Sequence, residues 1–236
     1  YVYMGRLDRF KIKDVLVLGT LAVDQEEVVS LVNETIKDKN KFLILSLESN
    51  FFYPKDQILA SIKKTFPRVK NVAFNFRNNL LVLTLQERNP EYLLCEKNVL
   101  DSNSKECWYL DVDGYVFDRA PTFSGHTFFE FEIESTESEK LLGSRILDKD
   151  KFTVIVLFRD LIQSYLLKSN ILADAIVTGI FVKKNNEADL FIRQKDSSEW
   201  KIILDLNPEK IQSEQELYTS VNNMSVNLQA ALSSPF

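Results

Sequence analysis

Fifteen residues, "NVAFNFRNNLLVLTL" from Asn71 to Leu85, constrain this chain more than any other stretch. Val72, Phe74 and Phe76 alternate with polar or small residues, and Leu81, Leu83 and Leu85 then repeat the pattern. A period of two places each apolar set on one face of a strand, and "RNN" between them supplies turn residues. The stretch is expected to be a pair of strands whose apolar face must be covered.

The cover is expected upstream. Residues 10–19, "FKIKDVLVLG", read as a strand ending in glycine. Asp24 followed by Glu27 has the spacing of a capping box, and Val28, Leu31, Val32 and Ile36 then share one helical face. A second helix fits "YPKDQILASIKKTF", with Ile58, Leu59, Ile62 and Phe66 inward, and Pro67 ends it. Segment 10–88 is thus β-α-α-β-β, a small sheet with two helices on one face.

From Glu91 the pattern changes. Short strand-like pieces fall at 91–95, 107–111, 115–118 and 127–133, followed by a helix near 150–168. Further strands are expected at 175–183, 188–194 and 199–205, and the polar stretch from Pro208 to Phe236 is expected to be partly helical. The fold class is α+β, with a mostly antiparallel sheet in the second part. The boundary near Pro90 gives domains 1–89 and 90–236.

Composition excludes several classes. Six glycines and six prolines in 236 residues are too few for a collagenous or low-complexity chain. A net charge of -5 disfavours nucleic acid as a partner, and "KDKNK" after Ile36 contains its own acid, so it reads as a solvated helix end. No segment approaches the roughly 18 apolar residues needed to cross a bilayer. The chain opens at Tyr1, and a removed upstream segment is expected: a signal peptide, a membrane anchor or a cytoplasmic tail.

Chemistry finds little to use. Cys95 and Cys107 are the only cysteines, and His126 is the only histidine. Zinc needs two further ligands, and a catalytic thiol wants a histidine base. A disulfide is the favoured reading, which would place the chain in an oxidising, extracytoplasmic compartment. Two unpaired buried thiols are the alternative. His126 sits in "FSGHTFF" without a nucleophile elbow around Ser124, and reads as an exposed loop residue. No two glycines lie within four residues of each other, so there is no phosphate loop. In "FEFEIESTESE", Glu130, Glu132 and Glu134 alternate with Phe131 and Ile133 and read as the wet face of a strand.

The stretch "WYLDVDGYVFDRAP" holds Asp111, Asp113 and Asp118 around Gly114. An EF-hand loop needs oxygen ligands at alternate positions and glycine at the sixth; counted from Asp111, Gly114 falls at the fourth and Thr122 at the twelfth. The favoured reading is a hairpin with a primed turn at Asp113-Gly114, and Asp118 on the surface at the strand's end. No catalytic residue, metal site or cofactor is expected.

Order and spacing together carry a resemblance. "IKDVLVLG", the capped helix, "FPRVKNVAFNF" and "LLVLTLQERNP" resemble a POTRA module. "CWYLDVDGYVF" resembles the hairpin that opens the second domain of the FtsQ/DivIB cell-division proteins. Glu87, Arg88 and Pro90 match that family's Glu-Arg-x-Pro-like stretch, and Asp111, Gly114 and Phe117 match its Asp-x-x-Gly-like turn with an aromatic. The similarity runs over 10–120; beyond that it rests on element order, including Trp200 in a late strand.

The resemblance implies a single-pass protein of the cell membrane, anchored by a helix upstream of Tyr1, with both domains on the extracytoplasmic side. It implies a non-catalytic divisome scaffold that recruits FtsB/FtsL-like division proteins by β-strand addition to an exposed sheet edge, in the POTRA sheet or near 175–205. Phe181, Phe191 and Trp200 are the candidate partner-binding side chains, although the core of an alternating strand is the favoured place for them. The cysteine pair departs from the family and implies a staple across one hairpin. The family's usual last strand is expected beyond Phe236. The first alternative is a POTRA-containing envelope assembly or secretion protein, which would ordinarily carry tandem modules or a barrel. The second is an extracytoplasmic enzyme whose pocket gathers acids such as Glu130, Asp148 and Asp160.

Overall fold

The computed structural model describes residues 12–40, 53–97, 105–123, 125–133, 141–168 and 174–206. The fold is α+β, and the chain divides into two units, Tyr1–Asn89 and Pro90–Phe236.

The first unit runs β1 (Asp14–Leu18), α1 (Gln25–Asn40), α2 (Lys55–Thr65), β2 (Val69–Arg77) and β3 (Leu80–Glu87). Its sheet has the order β1-β3-β2, with β1 parallel to β3 (Leu16 opposite Val82) and β2 antiparallel to it (Phe74 opposite Leu83). β1 starts at Asp14, four residues later than the sequence pattern suggests; Phe10 and Lys11 lie outside the described residues. Only Asn78 and Asn79 separate β2 from β3, at φ 51° and 65°. Positive φ at both central positions makes this a type I′ turn, which matches the twist of the flanking strands. Asp24 caps α1, its Oδ1 accepting from the Glu26 N–H at 2.7 Å and more weakly from the Glu27 N–H at 3.4 Å. The core joins Val17, Val28, Val32, Ile36, Ile58, Ile62, Leu81, Leu83 and Leu85, while Leu31, Phe66, Val72, Phe74 and Phe76 are half-buried at its margin.

The second unit holds β4 (Tyr92–Lys97), β5 (Lys105–Leu110), β6 (Val116–Ala120), β7 (Phe129–Ile133), α3 (Lys149–Lys168), β8 (Ile176–Val182), β9 (Glu187–Arg193) and β10 (Glu199–Asp205). Seven strands form one mixed sheet, β10-β9-β8-β7-β4-β5-β6. β7 is parallel to both β4 and β8; the other pairings are antiparallel. A parallel neighbour requires a crossover, and the segment between β7 and β8 carries α3. Phe152, Ile155, Phe158, Ile162 and Leu166 recur along one face of that helix and are buried. They meet Tyr92, Leu94, Trp108, Leu110, Phe129, Phe131, Ile180, Leu190 and Ile192 on the inner face of the sheet. Full burial of side chains of this size is worth about 1.5–3 kcal/mol each. The stretch from Pro208 to Phe236 lies outside the described residues.

Candidate interaction surfaces

β4 and β5 pair in strict register, and Cys95 stands directly opposite Cys107 with Cα atoms 4.2 Å apart. The two cysteines are joined in a disulfide. Its side chains lie on the outer face of the sheet, away from α3, because alternation sends Leu94 and Trp108 inward. There the bridge belongs to a second apolar layer. Phe117 is buried, and Tyr109 stacks on it with ring centroids 6.0 Å apart. Phe123 and Phe128, from the segment after β6, close over Tyr109 at 6.2 and 6.1 Å.

The aspartate-rich stretch is a hairpin turn, but not the primed one. The Gly114 N–H donates to the Asp111 carbonyl at 3.0 Å, and the Asp111 N–H donates to the Tyr115 carbonyl at 3.1 Å. Among residues 112–114 only Gly114 has positive φ, +70°. This is a three-residue loop, a type I turn closed by a left-handed glycine. Asp111, 2% exposed, makes it rigid: its Oδ1 accepts from the Asp113 N–H at 2.9 Å and the Tyr115 N–H at 3.0 Å. With two backbone donors on that oxygen, the carboxylate serves the turn. Gly114 has a second constraint, since a Cβ there would lie 2.6 Å from the Phe152 ring. Asp118 lies inside β6 and is half-buried rather than at the strand's end on the surface. Among the described residues no group of histidine, cysteine or acidic side chains is arranged to hold a metal.

Phe181, Phe191 and Trp200 do not form one surface. Trp200 stands opposite Ile192 and packs against the core beneath α3 together with Ile202 and Leu204. Phe181 and Phe191 lie on the outer face, each half-buried. Phe181 is opposite Asp189, and Phe191 is opposite Gly179 and Lys201. Around them the outer face is an array of ion pairs. Asp189, 6% exposed, bridges Lys183 at 2.9 Å and Lys201 at 3.1 Å. The hydrogen bond from Lys183 holds the Asp189 carboxyl below its ordinary range, against the opposing effect of burial and with help from Lys201. Nearer β7, Lys105 Nζ reaches Glu130 at 2.7 Å and Glu132 at 3.3 Å. Burial disfavours that ammonium, but the two carboxylates outweigh it and raise its pKa.

Between these pairs runs a groove of about 220 Å³, lined by Glu130, Glu132, Phe191, Arg193 and Glu199, with His126 at its rim. That is below the roughly 300–1,000 Å³ typical of small-molecule pockets. The acids Glu130, Asp148 and Asp160 are not gathered in it. Glu130 faces the groove, Asp148 lines a separate open cleft with Arg145, Lys149 and Lys151, and Asp160 is an exposed residue of α3 bonded to Arg159 Nε at 2.8 Å.

Glu87 enters the sequence reading only as part of the Glu-Arg-x-Pro-like stretch, which does not foretell its structural role. Glu87, at the end of β3, accepts through Oε1 from the backbone N–H groups of Leu21 at 2.7 Å, Ala22 at 3.0 Å and Val23 at 3.0 Å. Burial alone would raise its pKa, but these donors and the Arg68 charge hold it below the ordinary value. The loop can close on it because Gly19, at φ +81°, passes Leu85 where a Cβ would lie 2.3 Å from the carbonyl oxygen. Arg88 ties the other side, its Nε donating to the Pro67 carbonyl at 3.1 Å.

Four strands are sheet edges among the described residues: β1 and β2 in the first unit, β6 and β10 in the second. No helix among them is long and apolar enough to cross a membrane. No protein-family model and no curated protein matches the sequence.

Proposed function

We propose that this chain is the extracytoplasmic part of an FtsQ/DivIB-type division protein, a non-catalytic scaffold anchored by a membrane helix upstream of Tyr1. The observation that carries the reading is the first unit: β-α-α-β-β in sequence, with β1 parallel to β3 and β2 on its other side. The β-α-α-β-β order is the one that the resemblance to a POTRA module implies, and it supports the reading. The Glu-Arg-x-Pro-like stretch gains a physical role, since Glu87 ties the end of β3 to the loop after β1 and Arg88 ties it to the turn before β2. The Asp-x-x-Gly-like hairpin follows at once, with Asp111 and Gly114 each held by a separate constraint. The Cys95–Cys107 bridge favours an oxidising compartment outside the cytoplasm.

The scaffold works through backbone recognition. A partner segment from an FtsB/FtsL-like membrane protein adds as a strand to an open edge, where unpaired N–H and C=O groups supply affinity and neighbouring side chains set register. β10 is the edge nearest Phe191, and Ile203 on it is 57% exposed. The test is the position of a tagged full-length protein in dividing cells. Enrichment at the division site is expected; an even signal around the envelope contradicts the reading.

A further inference from the structure

The Cys95–Cys107 bridge is sheltered unequally at its two ends. Cys95 is 2% exposed, whereas Cys107 is only half-buried. The cause lies in the order of strands. β4 is interior, with β7 on its far side, while β5 has on its far side β6, an edge strand among the described residues.

The neighbours on the outer face differ accordingly. Lys105, two residues from Cys107 on β5, reaches Glu130 and Glu132 of β7 at 2.7 and 3.3 Å. Its side chain therefore crosses β4, whose outer-face residues Leu93 and Cys95 are both buried. On the other side, the residue opposite Cys107 is Ala120 of β6, itself half-buried, whose methyl group is a low neighbour. Thiol–disulfide exchange needs a thiolate to approach one sulfur along the line of the S–S bond, opposite the sulfur that leaves. The line to Cys95 comes from β7, where Lys105 fills the space and two carboxylates repel an anion. The line to Cys107 comes from β6, over Ala120.

We propose that the bridge is a thiol-exchange site of fixed polarity, in which Cys107 takes the incoming sulfur and Cys95 is the thiol that leaves and returns. The partner, by chemical class, is a dithiol carrier, or its disulfide when the bridge is being made. In reduction, a thiolate of the carrier bonds to Cys107 Sγ and the Cys95–Cys107 bond breaks. Its electron pair leaves on Cys95 Sγ, which takes a proton from water. The carrier's second thiol then attacks its own partner sulfur in the mixed disulfide, and its proton passes to the released Cys107. The carrier ends as a disulfide and the bridge as two thiols. Formation runs the same steps backwards: Cys107 captures the carrier, and Cys95, directly opposite with Cα atoms 4.2 Å apart, resolves the mixed disulfide. This polarity rests on burial and register within the second unit and does not depend on the division reading.

Reduced glutathione, a monothiol, tests it on the native 236-residue chain, because the first step gives a mixed disulfide that acid quenching traps. Peptide mapping by mass at early times should place glutathione on Cys107 and the free thiol on Cys95, by about tenfold over the reverse. In denaturant the preference should vanish, since both sulfurs are then reached alike. Glutathione mainly on Cys95, an even split in the folded chain, or an equal preference in denaturant would each overturn the proposal. So would an absence of exchange until the chain unfolds. The failure of division-site enrichment would leave it standing.

Discussion

The two units cover an apolar sheet face with unequal means. In the first, two helices lie over three strands, and one layer of Val, Ile and Leu side chains does most of the stabilising. In the second, α3 is the only helix among the described residues, and seven strands share its single buried stripe. The outer face of the larger sheet is left to other devices: a disulfide and aromatic layer over β4–β6, and ion pairs over β7–β10. The second unit should therefore depend on more kinds of interaction than the first, and perturbations should separate them.

The largest expected effect is in the shared stripe. Phe131 is fully buried and touches Tyr92, Phe129 and Phe152, with ring centroids 5.7, 5.1 and 5.1 Å away. Phe131→Ala should destabilise the second unit by about 3–5 kcal/mol. Hydrogen exchange resolved by segment should show protection lost in β4–β10 and retained in β2 and β3. Equal loss in both units would break the comparison.

Next is the cross-strand bridge. Replacing Cys95 and Cys107 together with serine should cost about 3 kcal/mol in the chain-entropy description, read as a lower denaturant midpoint. Reducing agent should do the same to the native chain and nothing to the double variant.

Glu87→Gln probes the first unit. Losing a carboxylate that serves three backbone donors should cost about 1–3 kcal/mol and loosen residues 21–23. The sign with pH follows from its lowered pKa. The stabilisation is complete above the ordinary carboxylate range and fades as pH falls through the depressed folded value. The Gln variant should show a flatter acid limb than the native chain. The smallest effect belongs to the outer-face ion pairs. Lys201 is half exposed, so Lys201→Ala should cost no more than about 1 kcal/mol, and less at high salt. Asp189 keeps Lys183 in that variant.

These contrasts also mark how far the residues can be read without coordinates. Period-two and period-3.6 patterns sufficed for β2, β3, α2 and α3, because side-chain periodicity directly reports a covered face. In β10 the alternation of Trp200, Ile202 and Leu204 carried the inward direction of the tryptophan. Neighbours are another matter. That β7 lies between β4 and β8, parallel to both, leaves no local signature, because a strand pattern specifies a face and not a partner. Turn chemistry was half legible: both hairpins announced themselves, but the primed turn is at Asn78–Asn79 and not at Asp113–Gly114. Glu87 was invisible as a tie because its donors are more than sixty positions away. Phe181 and Phe191 resisted assignment for a related reason. In "EADLFIR" the outward Asp189 is buried by its lysine partners, so the alternation of polar and apolar residues does not show which face is open.

The most direct measurement of the central claim is depletion of the full-length gene product in its own cells, followed by microscopy of division. The account predicts elongated cells whose septation stops while growth and envelope integrity continue, and rescue by the native protein. Normal division after complete depletion would contradict it.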